Sequence, residues 1–427
     1  MDTQFRRYVL EHCNAIPAGV ARVTINQTTV GQFTVTVDDP FGIIDYIRRN
    51  SHRYLAKRTA DGIATICRLN DRNSYEFWDG TAAALNGTMG DCMRKIDVPF
   101  YYRFPNGDNP DLAVCEFTLY PTAGFYKWWP NWLMGAFEAQ LVNNKMYSRA
   151  GVAVSNNYTQ PNGESYAEAR GTGYTMDIWE MHTVTAWLFY AMYAHMNSQA
   201  CIGYGDTKRD GTVAYKNTGQ TASLGMIDTV GELGILKPEF QLGAVNQGNK
   251  MSINFWGLEN WWGNYLEWFG DAKALTPGSA NLTVWVPDPN TGLFSSAGAT
   301  RVIPVEAAMI QNSSTSWGSV FIERMLIGDH GDLVNAKATI SGTQATQDTC
   351  WCDTQAHTNI NDSMWAGNAV RTVRRSSYLA YPSGGVAYTH AAYALTVTST
   401  AYGGRLAFSG ETREAASVAD FVAAQEI

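Results

Sequence analysis

Residues 252–271 read SINFWGLENWWGNYLEWFGD. This is the densest aromatic cluster in the chain. Its indoles, Trp256, Trp261, Trp262 and Trp268, are expected to form packed core, since large rings dominate buried contacts. Just upstream, residues 200–250 are rich in Gly, Asn and Thr and read as loops. Before them, MDIWEMHTVTAWLFYAMYAHMN at 176–197 is the longest helix candidate. It sets Ile178, Met181, Thr185, Leu188, Met192 and His195 near one face. Downstream, residues 280–410 carry short strand-like runs spaced by Gly, Ser, Asn and Pro.

Farther upstream, VPFYYRF from Val98 and AVCEFTLY from Ala113 are two strand-like runs around the loop Pro105–Pro110. In the first hundred residues, 1–14 read as a short helix. RVTINQTTVGQFTVTV at 22–37 alternates with a period of two around a turn at Asn26–Gly31, which predicts a β-hairpin. Asp38-Asp39-Pro40 opens a helix predicted over Phe41–Lys57, with Ile43, Ile44 and Ile47 on one face. Residues 62–69 and 75–78 read as strands around the polar turn Asn70–Asn73. Mixed helices and mainly local strands make this an α+β chain, and no internal repeat or flexible linker is evident.

The length, 427 residues, suggests two or three domains. The expected division is a small α+β attachment and oligomerisation module at 1–115 and a larger domain at 116–427. Only 16% of residues are charged, while 12% are aromatic, including 14 Trp and 22 Tyr. That is a compact protein rich in rigid contact residues, not a disordered one. A net charge of −8 argues against a nucleic-acid binder, which needs basic patches. The opening MDTQFRRYVLEHCNAIPAG has no apolar run of secretory length, and no stretch is apolar enough to span a membrane. Seven scattered cysteines contain no CxxC pair, which fits buried free thiols in a reducing cytoplasm.

No GxSxG, HExxH, P-loop or GxGxxG is present, so no catalytic, cofactor or metal site is expected. His182 and His195 are too far apart on one helix to share a metal and read as core or interface residues. Gly328-Asp329-His330-Gly331-Asp332 reads as a polar turn. Cys350 and Cys352 on one strand face would lie about 6.5 Å apart with near-parallel Cβ vectors, a poor disulfide geometry.

Gly257-Leu258-Glu259-Asn260 followed by Gly263-Asn264-Tyr265-Leu266-Glu267-Trp268 resembles the G-L-x-x-x-x-G-N-x-x-E-W motif of the formylglycine-generating-enzyme type of C-type-lectin-like fold. Arg374-Arg375-Ser376-Ser377-Tyr378 resembles that family's R-G-G-S-W strand, and Gly404-Arg405-Leu406-Ala407-Phe408 its closing G-F-R strand. The resemblance covers roughly residues 120–412. One branch of the family consists of oxidases with a cysteine pair near the closing strand; this chain has no cysteine after Cys352. The other branch comprises variable proteins of diversity-generating retroelements, found in phage tail tips and surface adhesins. In these the resemblance implies a rigid frame carrying a variable C-terminal surface, here 374–410. A calcium-bridged sugar site is disfavoured, since neither an E-P-N or Q-P-D loop nor a W-N-D strand occurs.

Residues 376–410, SSYLAYPSGGVAYTHAAYALTVTSTAYGGRLAFSG, contain no Lys, Glu, Gln, Met or Trp. Those five types make up 68 of the 427 residues, so 35 positions would ordinarily hold about five. Adenine mutagenesis of codons such as AAC, which the resemblance implies, cannot reach any of the five. The stretch also reads as two strands and a turn, since strands favour Thr and Tyr. As a binding surface it uses the chemistry of antibody paratopes, rigid Tyr with adaptable Ser and Thr. The contact residues expected on it are Tyr378, Ala380, Tyr381, Ser383, Tyr388 and His390. Ala391, Tyr393, Thr396, Thr398, Ser399 and Tyr402 continue the same surface, and Trp351 flanks it.

The segment from Tyr54 through Trp78 to Gly90-Asp91 and Val98–Tyr102 resembles the leading region of tail-fibre proteins from phages of gut Bacteroides-type hosts. Together the two resemblances imply a non-enzymatic, homotrimeric receptor-binding protein on the virion tail, made in the host cytoplasm. Its partners would be a host cell-surface glycan or protein and other virion proteins. The alternatives are a structural virion protein (collar, baseplate or head decoration) or, on the same scaffold, an oxidase.

Overall fold

The computed structural model describes residues 16–29, 32–105, 111–196, 198–203, 205–206, 215–229, 252–275, 281–303, 310–312, 320–322, 326–327, 333–334, 370–375, 385–386, 389–390 and 395–426. The expected helix at 1–14, the His330 turn and the Cys350–Cys352 pair lie outside them.

Strands β1 (Ala21–Thr29) and β2 (Gln32–Asp38) form the expected hairpin, with Val23 opposite Val37 and Ile25 opposite Val35. Helix α1 (Ile43–Arg49) starts two residues after the predicted Phe41, where the Asp39 carboxylate accepts the N–H groups of Ile43 and Ile44 at 2.8 and 2.9 Å. It buries Ile43, Ile44 and Ile47 as the pattern required. It stops at Asn50, seven residues short of the predicted Lys57. Residues after it form strand β3 (Ser51–Arg58), flanked by β4 (Ala64–Asn70) and by β6 (Asp91–Ile96), with β5 (Asn73–Phe77) beyond β4. Paired on both edges, Ser51–Arg58 satisfies its backbone in the ladder, and that overrides the local helical pattern. The two expected runs are strands β7 (Phe100–Arg103) and β8 (Leu112–Thr118), and they pair antiparallel. With β9 (Tyr126–Trp128) they complete a first sheet of order β2-β1-β8-β7-β9.

The larger sheet continues through β10 (Leu133–Val142), with β11 (Lys145–Ser148) paired to it. Helix α2 (Gln160–Glu168) and strand β12 (Tyr174–Met176) precede the long helix α3 (Trp179–Tyr193), followed by the short α4 (Ser198–Ile202). The aromatic cluster opens as a small hairpin, β13 (Asn254–Phe255) with β14 (Leu258–Glu259), and ends in β15 (Leu266–Leu275). Then come β16 (Asn281–Trp285), β17 (Thr300–Ile303) and two small pairs. The first pair is β18 (Ile310–Asn312) with β19 (Val320–Ile322), the second β20 (Leu326–Ile327) with β21 (Leu333–Val334). The chain closes through β22 (Val370–Arg375), β23 (Thr389–His390), β24 (Tyr402–Phe408), β25 (Thr412–Glu414) and α5 (Val418–Ala423). The main path of the large sheet is β17-β16-β15-β24-β10-β6-β3-β4-β25.

The architecture is therefore mixed α/β, mostly sheet with few helices. The expected division at residue 115 falls inside β8, and the large sheet runs across it. β6 pairs with β10, and β25, near the end of the described chain, pairs parallel with β4. The reason is that pairing with β3 leaves the outer edges of β6 and of β4 at Ala64–Ile66 open, and the later strands β10 and β25 cover them. Helix α3 also differs from expectation in kind. Every one of its residues is buried, not one face, because it lies between the first sheet, α1 and the aromatic cluster. Trp256, Trp261, Trp262 and Trp268 are buried as expected.

Candidate ligand-binding face and its buried frame

The glycines and asparagines of the aromatic segment are there for backbone geometry. Gly257 and Gly263 have φ of 80° and 87°, and Asn260 and Asn264 adopt 49° and 58°. These left-handed conformations suit Gly and are tolerated by Asn. A Cβ on Gly263 would sit 2.7 Å from the backbone nitrogen of Asp206. The turns aim the polar side chains between them inward.

Beside them lies Arg405 of β24, which is fully buried. Its guanidinium donates to Glu267 Oε1 at 2.7 Å and Oε2 at 3.3 Å, to the Glu259 carbonyl at 2.7 Å and to the Gly135 carbonyl at 2.9 Å. Glu267 is placed by the parallel pairing of β15 with β24. Glu138 of β10 accepts from Asn264 Nδ2 at 2.6 Å, Asn260 Nδ2 at 3.1 Å and the Tyr265 N–H at 3.1 Å. Glu259 accepts from the N–H groups of Gly219 and Thr221 at 2.7 and 2.6 Å. The motif residues thus tie β10, β14, β15, β24 and the 215–221 segment into one buried polar frame. Burial, and then the charge of Glu267, pushes the Glu138 carboxyl well above its ordinary range. Burial also raises Glu267, against the pull of Arg405. Asp177 is pushed up to about 8 by burial and by Glu267.

Of the expected contact residues, the structure describes His390, Thr396, Thr398, Ser399 and Tyr402. Trp351, Tyr378, Ala380, Tyr381, Ser383, Tyr388, Ala391 and Tyr393 fall outside the described residues. His390 sits in β23 opposite Arg374 of β22, at the level of the backbone. Leu395–Thr400 alternates: Thr396 and Thr398 are exposed, whereas Val397 is half-buried against the core that includes Trp268 and Leu406. Ser399 is half-buried and pins the segment. Its carbonyl accepts from the Asn157 N–H at 3.0 Å, and its hydroxyl accepts from the Ala401 N–H at 3.1 Å.

Tyr402 departs from expectation. It is 8% exposed, with its ring edge-on to Trp268 at 5.2 Å and the Arg374 guanidinium 4.0 Å above it. It is held as part of the core because β24 already runs inside the sheet at that point. Sequence reading also missed neighbours that border this segment. Tyr215 stacks on Tyr265 at 4.3 Å, and Asn156 donates to the Tyr265 hydroxyl at 3.5 Å. Tyr265 stands inside the motif, but nothing in the spacing marks Tyr215 or Asn156.

His182 is a core residue, as expected. Its Nδ1 accepts from the Trp261 indole N–H at 3.1 Å, and burial, with Arg375 nearby, holds its pKa well below the usual value. Cys67, Cys92, Cys115 and Cys201 are buried free thiols, and burial pushes Cys67 to about 11 and Cys92 to about 12. Among the described residues no three His, Cys, Asp or Glu side chains gather as metal ligands, and no helix is long and apolar enough to cross a membrane. No family model matches the chain, and no curated protein compared with it matches either.

Proposed function

We propose that this protein is a phage tail-fibre or receptor-binding protein. In this reading the large sheet and the elements packed on it carry a C-type-lectin-like scaffold of the retroelement-diversified kind, and its C-terminal surface grips a ligand on the host cell. The observation that carries the reading is the composition of residues 376–410, rich in Tyr, Ser, Thr and Ala and empty of Lys, Glu, Gln, Met and Trp. The placement of Thr396 and Thr398, outward on a segment pinned to the buried Arg405 frame, supports it. A binding surface that must vary needs a support that does not depend on it. Here the support is charge-assisted bonding beneath the surface, made by residues outside the exposed positions.

Recognition on this account needs no covalent chemistry. Tyr rings provide contact area with little rotamer entropy to lose, and hydroxyls adapt their hydrogen bonds to a glycan or protein. Assembly as a homotrimer, with several fibres per virion, turns weak single sites into firm adsorption. The test is adsorption of the purified protein to candidate host cells, with residues 376–400 intact or exchanged for a scrambled set of the same composition. Tyr402 and the β24 strand are left untouched. The expected result is binding by the intact protein and none by the folded scramble. Adsorption to no host by either would overturn the receptor-binding reading in favour of a structural virion protein.

A further inference from the structure

Strands β3 and β6 set Arg53 directly opposite Arg94, so both side chains leave the sheet on the same face. Each is 1% exposed. Arg53 is satisfied by neutral acceptors: the Gly257 carbonyl at 2.8 Å, Asn254 Oδ1 at 2.9 Å and Ser74 Oγ at 3.0 Å. Arg94 is not. Its Nη2 reaches Thr185 Oγ1 and Met134 Sδ, both at 3.0 Å, and the sulfur is a weak acceptor. Its Nε and Nη1 meet no acceptor among the described residues, and neither does the indole N–H of Trp256, whose ring lies 4.7 Å from the guanidinium.

Among the described residues neither arginine touches a carboxylate, whereas Arg48, Arg170 and Arg405, buried comparably, grip Asp228, Asp91 and Glu267. The charges acting on Arg94 are Asp177, which attracts, and Arg405, which repels; burial outweighs both and lowers its pKa to about 9. A desolvated cation without a counter-charge is costly, and each buried donor left unmade adds to that cost. The deficit is specific: donors in surplus, positive charge in surplus and acceptors lacking. Water would accept from two of these donors but would bring two more that need acceptors. A small anion at one edge of the guanidinium accepts from the donor there, brings no donors of its own and cancels charge.

We propose that Arg94, with Arg53 beside it, holds a monovalent inorganic anion of chloride size as a structural ion between the large sheet and α3. This inference is independent of the receptor-binding reading. The test compares the melting temperature of the full chain in sodium gluconate with that in chloride, bromide or nitrate, at equal pH and ionic strength. A saturable rise of a few degrees with the small anions is expected, since an ion that binds only the folded state stabilises it by mass action. Arg94→Met, which keeps the bulk and removes the charge, is expected to lose that rise and to melt no lower than the wild type in gluconate. Equal melting temperatures in all salts, or an unchanged anion response in the variant, would overturn the proposal. Should Arg94→Met fail to fold, anomalous diffraction from wild-type crystals grown in bromide decides: a peak beside the Arg94 guanidinium supports the site, and its absence removes it.

Discussion

Arg405 shows how much one side chain can organise. It bridges a carboxylate of β15 and carbonyls of β10 and β14 in a region with no access to water. Removing one partner of such a pair leaves a buried charge uncompensated, which typically costs about 3–5 kcal/mol. Arg405→Met is therefore expected to lower the urea-unfolding free energy by roughly that amount. The double variant Arg405→Met/Glu267→Leu should lose less than the two single variants added together. Asp177 gives a prediction in pH. Its folded-state pKa of about 8 lies above its unfolded value, as do those of Asp271 and Asp206 at about 7, all through burial. The native state thus keeps protons that the unfolded chain has released, so this stability is present at low pH and is lost as pH rises through 7–8. His182, with its pKa held low, acts oppositely and costs stability as pH falls below about 6.5. From about pH 6.5 to 8 the carboxyls govern, and the melting temperature should fall. Asp177→Asn, which keeps an oxygen for the Ile178 N–H, should flatten that fall.

At the scale of elements, local pattern and tertiary demand part company at identifiable places. The β1–β2 hairpin, the β7–β8 pair and the start of α1 follow from alternation and capping, which act within a few residues. The end of α1 does not, because Ser51–Arg58 is claimed by partners on both edges. Helix α3 was legible as a helix, but its burial on every side was not, since what covers its polar residues, such as Glu180 and His182, comes from elsewhere in the chain. The turn at Gly263 joins both kinds of cause: the φ of 87° is local, and the Asp206 backbone against it is not. Gly263→Ala should accordingly cost more than the roughly 1 kcal/mol of a strained backbone alone, and a thermal or urea melt would show whether it does.

At the scale of the molecule, the continuous sheet makes the two halves of the sequence interdependent. Residues 116–427 produced alone would lack β3, β4 and β6, leaving β25 without its partner and β10 open where Leu133–Gly135 pairs with β6. That fragment is expected to be insoluble or to lack a cooperative melt, whereas the full chain should unfold in one main transition. An independently folding fragment would restore the division at residue 115. The aromatic core, the polar motif around Arg405 and the composition of 376–410 were legible in the sequence by itself, because residue type and spacing carry them. Only the tertiary structure decided that Tyr402 is core, that Tyr215 and Asn156 meet Tyr265, and that Arg53 and Arg94 share one buried face. Each of these depends on which strands lie side by side, and strand neighbours are chosen by long-range burial and hydrogen bonding that no local window contains.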